Sequence, residues 1–157
     1  MKRFFLLLIP ALFLFSCSKE TTVELVKFTD TGCDKSTLSP ATKAGSDSQL
    51  ILAYSEEGLV VTRTNAMMNC SIGQGGISCD VSCEGSDIHC HAYETDGPIM
   101  KCICPVKEMS AVISGLRTGR EYTLYYVCSD TSFSPISFTY QKGLNLVLDA
   151  DLYTLGQ

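Results

Sequence analysis

Tryptophan is absent from this 157-residue chain, histidine occurs only twice, and no run of basic residues exists. Each absence removes a class of activity. Phosphate recognition needs clustered Lys and Arg, so the sequence argues against nucleic acid and anionic lipid as partners. Without Trp, sugar recognition by ring stacking loses its largest platform. The only histidines, His89 and His91, stand two residues apart, and no G-x-S-x-G elbow accompanies them. A hydrolase of that type has no footing here. No C-x-x-C occurs, since three residues separate Cys79 from Cys83. Thiol–disulfide enzymes place that motif at a helix start, and no stretch has a helical period. These absences point to a protein with neither catalysis nor cofactor.

The longest apolar run is Phe4 to Phe15, interrupted only by Pro10. It is too short to span a bilayer, which takes about 20 residues. It follows a basic start, Met1-Lys2-Arg3, and so has the form of an export signal. The run ends in Leu14-Phe15-Ser16-Cys17. This segment resembles the lipobox of bacterial lipoproteins. The resemblance implies removal of residues 1–16 as a signal peptide and acylation of Cys17 at its thiol and new amine. Residues 17–22 are then a lipid-anchored tether to the membrane, because two or more acyl chains anchor stably where one does not. Ser18-Lys19-Glu20 lacks the Asp that marks inner-membrane retention. It resembles in part the charged stretch that routes Bacteroidota-type lipoproteins to the cell surface. The expected location is the outer membrane of a cell envelope, with its periplasmic and surface faces both open.

Loss of residues 1–16 takes Lys2 and Arg3 away. The mature chain keeps ten basic against seventeen acidic side chains, a formal charge of −7. Residues 23–157 have the length of one domain. They hold eight cysteines: Cys33, Cys70, Cys79, Cys83, Cys90, Cys102, Cys104 and Cys128. An even set in an exported chain predicts a disulfide framework, whose connectivity spacing alone does not give.

Short β-prone segments follow one another between turn signals. They are Val23–Phe28, Leu50–Tyr54, Leu59–Cys70, Ile77–Cys83, Ile88–Tyr93, Met100–Cys104, Ala111–Ile113, Glu121–Cys128, Ile136–Tyr140 and Leu144–Leu148. A loop rich in Thr, Ser, Gly and Pro occupies about residues 29–49, pinned by Cys33. Glu84–Asp87 is read as a hairpin loop, and Pro105 as the end of the sixth strand. No internal repeat is present. The pattern predicts an all-β, antiparallel sandwich or barrel.

Leu116-Arg117-Thr118-Gly119-Arg120-Glu121-Tyr122 has the spacing L-x-x-G-x-x-Y and precedes a strand. It resembles the corner between the E and F strands of fibronectin type III and other Ig-like domains. That resemblance implies an Ig-like β-sandwich, a Tyr122 hydroxyl bonded back to the corner, and Tyr122, Leu124, Tyr126 and Cys128 facing the core. Residues 59–128, with Asn69-Cys70, Cys102-Ile103-Cys104-Pro105 and the corner, also resemble a group of small Bacteroidota-type lipoproteins.

Two functional readings follow. The first is a non-catalytic binding or structural module that presents loops and strand edges to a protein or glycan partner. The second is a metal-binding lipoprotein. His89, His91, Cys90, Cys102 and Cys104 are zinc- or copper-ligand types, and pairing of their strands would bring them together. Period-2 alternation puts His89 and His91 on one face and Cys90 on the other, and its spacing matches no common zinc pattern. Met67 and Met68 face opposite sides of their strand, so they serve packing better than a shared metal.

Overall fold

A computed structural model of the chain describes residues 22–34, 48–95, 102–129 and 131–153. Ten strands and one helical turn are present among them. In chain order the strands are β1 (Glu24–Asp30), β2 (Gln49–Tyr54), β3 (Leu59–Asn69), β4 (Ile77–Glu84), β5 (Asp87–Glu94), β6 (Ile103–Ser114), β7 (Glu121–Cys128), β8 (Thr131–Ser132), β9 (Ile136–Thr139) and β10 (Asn145–Asp149). A turn of helix, α1 (Ala150–Tyr153), follows.

The strands form two five-stranded sheets. One has the order β1-β6-β3-β2-β10. In the other, β4-β5-β7 is extended by β8 and β9, both paired to β7. Alternation decides which side chains meet between the sheets. Leu50 and Leu52, Leu59 and Val61, Ile88, Leu124, Ile136 and Phe138 all point inward and are buried. Full burial of one such aliphatic side chain contributes about 1.5–3 kcal/mol. Tyr122, Leu124, Tyr126 and Cys128 share the inner face of β7, as alternation required. Met68 is buried while Met67 is exposed.

The antiparallel expectation is corrected at one ladder. β5 and β7 run parallel, from Asp87↔Thr123 to Ala92↔Cys128. The chain leaves β5, crosses to the other sheet as β6, and returns in its original direction as β7. All other strand pairings are antiparallel.

Two expected segments are also redrawn. Pro105 does not end a strand: β6 runs through it and takes in Ala111–Ile113. The carbonyl of Pro105 accepts a hydrogen bond from Asp34 N at 3.0 Å, on the side where β1 has already ended. In an extended strand the amide nitrogen points the same way as the carbonyl of its own residue. The donor that proline lacks would therefore have faced a loop, and no strand ladder loses a bond. Within the expected Met100–Cys104 strand, residues 100 and 101 lie outside the described set. The hairpin loop is tighter than expected, because Glu84 and Asp87 pair and only Gly85 and Ser86 turn.

β3 and β6 bend together. Inward residues are Leu59, Val61 and Arg63, then Ala66 and Met68; opposite them stand Ile113, Ala111 and Met109, then Val106 and Cys104. The phase flips in both strands at the same level while the register continues from Thr64↔Glu108 to Ala66↔Val106. Asn65 supplies the bend with φ of 51°, a left-handed conformation that Asn tolerates better than most residues.

The corner before β7 forms as its spacing implied. Tyr122 is buried, and its hydroxyl accepts a hydrogen bond from Arg117 N at 2.9 Å. Tyr122→Phe leaves that amide without this acceptor. It should lower unfolding free energy by about 1 kcal/mol in a denaturant titration.

Candidate functional site

The described structure separates the eight domain cysteines into two groups. Cys33 bonds Cys104, and Cys70 bonds Cys102. Cys70 extends the β3–β6 register, with its amide donating to the Cys102 carbonyl at 3.2 Å. Cys33 lies beyond β1 and forms a bridge with Val106 on the opposite side of β6. The start of β6 is thus tied to both neighbours.

Cys79, Cys83, Cys90 and Cys128 are thiols. The expected bridging of all eight cysteines therefore holds for four. Topology explains part of the difference. Cys83 is level with Ile88, and Ile88 with Leu124. Cys128 lies four residues farther along β7, roughly 13 Å at the rise of a strand, so Cys83 and Cys128 have no common level.

Cys79, Cys90 and Cys128 gather at one end of the second sheet, facing its partner. The Sγ atoms of Cys79 and Cys90 are 3.5 Å apart. Cys90 is level with Tyr126, and Cys128 with Ala92. Arg63 reaches this region from β3. It is buried, its guanidinium lies 5.3 Å from the centre of the Phe133 ring, and Nη1 donates to the carbonyls of Gln49 and Thr64 at 3.2 and 3.1 Å. Phe133 packs edge-on against Tyr126, whose hydroxyl meets Met109 Sδ at 3.8 Å.

The three thiols differ electrostatically. The hydrogen bond from Cys90 favours a thiolate at Cys79 and lowers its pKa, against opposing burial. The same contact, with near-complete burial, pushes Cys90 well up. Burial pushes Cys128 up to about 11, with Arg63 acting in the other direction. A thiol whose pKa is raised in the folded state favours that state only while protonated. Stability should thus be level below pH 9.0, the ordinary value, and fall as pH rises toward about 11. The slope for Cys128 is on the order of 1 kcal/mol per pH unit. Chemical denaturation across this range should show the fall, and Cys128→Ala should make it shallower.

The five residues of the expected metal cluster are not brought together. Cys102 and Cys104 are consumed in separate disulfides. Cys90 is buried on the inner face of β5, whereas His89 and His91 are exposed on its outer face. The His89 ring stacks on Tyr125 at 4.8 Å, and His91 lies tilted against Tyr93 at 5.3 Å. Among the described residues no group of three His, Cys, Asp or Glu side chains could hold a metal ion. The described geometry thus does not assemble the expected ligand set.

Cys83 sits apart in an open cleft of about 340 Å³, with Thr22, Val23, Arg117, Arg120 and Tyr122 among its lining. Arg120 donates from Nη2 to the Gly85 carbonyl and to Ser86 Oγ at 3.1 and 3.0 Å. Burial raises the Cys83 thiol, with the Arg120 charge opposing. Thr22 is the first described residue, five positions after Cys17, which lies outside the described set along with Leu14, Phe15 and Ser16.

Arg63 is the residue that the sequence concealed. The charged side chain does not stand out in the sequence among Thr62, Thr64 and Asn65, although alternation from Leu59 and Val61 puts it at an inward position. Comparison with family models, curated proteins and solved structures returns no match to this chain.

Proposed function

We propose that this chain is a lipid-anchored protein of a bacterial envelope, of the small Bacteroidota type, whose domain acts as a non-catalytic binding or structural module. The observation that carries the reading is Leu14-Phe15-Ser16-Cys17 at the end of a short apolar run behind a basic start. That order of residues suits export, cleavage and acylation. The outer membrane is the proposed site, with a protein or glycan as partner.

Several features suit the domain to such a role. Its two sheets meet over a shared apolar core, and two disulfides tie the start of β6, an interior strand of one sheet, to both its neighbours. Rigid frames of this kind present loops and strand edges to partners. We further propose that the sandwich is Ig-like, of the fibronectin type III-like kind. The bond from Arg117 N to the Tyr122 hydroxyl supports it. The parallel β5–β7 ladder is a departure from that all-antiparallel plan.

Metabolic labelling with a fatty acid in a bacterial host tests the anchor. The wild-type chain should incorporate label, sediment with membranes and begin at Cys17. Cys17→Ala should incorporate none and leave the membrane fraction. Cleavage at another position, or labelling that survives Cys17→Ala, refutes the lipoprotein reading.

A further inference from the structure

We propose that Cys79 and Cys90 form a third, exchangeable disulfide, while Cys83 and Cys128 remain thiols. The two sulfurs already face each other between β4 and β5 at 3.5 Å. A disulfide bond is about 2.05 Å long, so closure requires an approach of about 1.5 Å. The setting allows it. β4 is the outermost strand of its sheet, paired only to β5 among the described residues. It can tilt toward β5 without breaking a second ladder.

The pair is also chemically polarised. Cys79 is 8% exposed and Cys90 only 1%. Cys79 is the thiol whose ionisation is favoured, and Cys90 is the one that keeps its proton and donates. Attack by a thiolate is how disulfides are exchanged. Cys79 therefore attacks a small-molecule disulfide, such as oxidised glutathione. An S–S bond forms between Cys79 and one half of the donor, and the other half leaves as a thiolate. Cys90 then attacks the Cys79 sulfur, the Cys79–Cys90 bond forms, and the second half leaves. The two protein protons end on the two released thiols. Two cysteines are oxidised and one donor disulfide is reduced, so atoms and electrons balance.

Cys128 is the competing partner. It lies on β7, level with Ala92, outside the β4–β5 ladder whose two sulfurs are already in contact. Cys79 and Cys83 flank Val81, the residue level with Cys90, but only the Cys79 sulfur is turned onto that of Cys90, while the Cys83 sulfur meets the Gly85 carbonyl at 3.6 Å.

The test incubates the purified full chain with oxidised glutathione, then denatures, alkylates without reduction and maps the peptides. Before alkylation the expected mass is two hydrogens below that of the chain with its two present bridges, and alkylation should then add two groups to the domain. Cys79 and Cys90 should be linked and unalkylated, and Cys83 and Cys128 both alkylated. Cys128→Ser should leave that link intact, and Cys79→Ser should make Cys90 alkylatable. Alkylation of both Cys79 and Cys90 in the wild type overturns the proposal, as does a linked peptide that contains Cys128. The assay contains no membrane, so its failure would leave the acylation of Cys17 untouched.

Discussion

Replacing Cys33 and Cys104 together by alanine should lower the unfolding free energy by about 4 kcal/mol, the entropy of a long closed loop. The bond spans 71 positions in sequence, against 32 for Cys70–Cys102. A longer loop leaves more freedom to the unfolded chain once it is opened, though only logarithmically. The native side of the balance matters as well. After β1 the chain is held to β6 by Thr31 N on the Glu108 carbonyl, Asp34 N on the Pro105 carbonyl, and an ion pair of Lys107 with Asp34 at 2.8 Å. The ion pair is exposed on its Lys107 side and contributes at most about 1 kcal/mol. The disulfide is therefore the principal covalent restraint between this segment and the sheet. In urea titrations wild type should be the most stable, Cys70→Ala with Cys102→Ala the next, and Cys33→Ala with Cys104→Ala the least. The last pair should show the larger loss, by a few tenths of a kcal/mol. Equal stability of wild type and that double variant would mean that the bridge does not constrain the fold.

Gly58→Ala should cost more than 3 kcal/mol, whereas Gly143→Ala should cost only about 1 kcal/mol. Both glycines have positive φ, 148° and 87°. Strain at such an angle is common to the two substitutions. Only Gly58 adds a collision. A Cβ there would meet the carbonyl of Ile113, which is backbone of β6 and cannot rotate away. At Gly143 nothing lies within 4 Å of the added atom. Gly58 also closes the turn between β2 and β3, exchanging hydrogen bonds with Ser55. A backbone shift to relieve the collision would pull on the pairing of Leu59 with Ile113 and Tyr54. Thermal unfolding of the two variants beside wild type decides the matter. Similar small shifts for both would show that β2–β3 moves freely over β6.

The placement of particular residues shows why some of this was legible and some was not. Strands such as β2 and β9 could be read locally, β9 from its alternation Ile136-Ser137-Phe138-Thr139 and β2 from its short apolar run Leu50–Tyr54 between turn signals. The Tyr122 corner could be read for the same reason: its turn, its glycine and its acceptor lie within seven residues. Pro105 misled because a missing donor matters only if a strand lies on that side, and the end of β1 is not a property of the Pro105 segment. The flip of inward and outward faces at Asn65 was hidden too. Nothing in Thr64-Asn65-Ala66 specifies that two paired strands bend together.

For the sites, the sequence by itself determined ligand types and faces. It set His89 and His91 opposite Cys90, one Met of the pair inward, and an apolar run that ends near a cysteine. It also set the count of cysteines. Only the tertiary structure decided their partners. Two bridges rest on contacts between β6 and segments far away in sequence, and the parallel return of β7 beside β5 brings Cys128 to the level of Ala92. Alternation is fixed by the geometry of one chain, while pairing depends on which chain segments become neighbours once the sheets close on their common core.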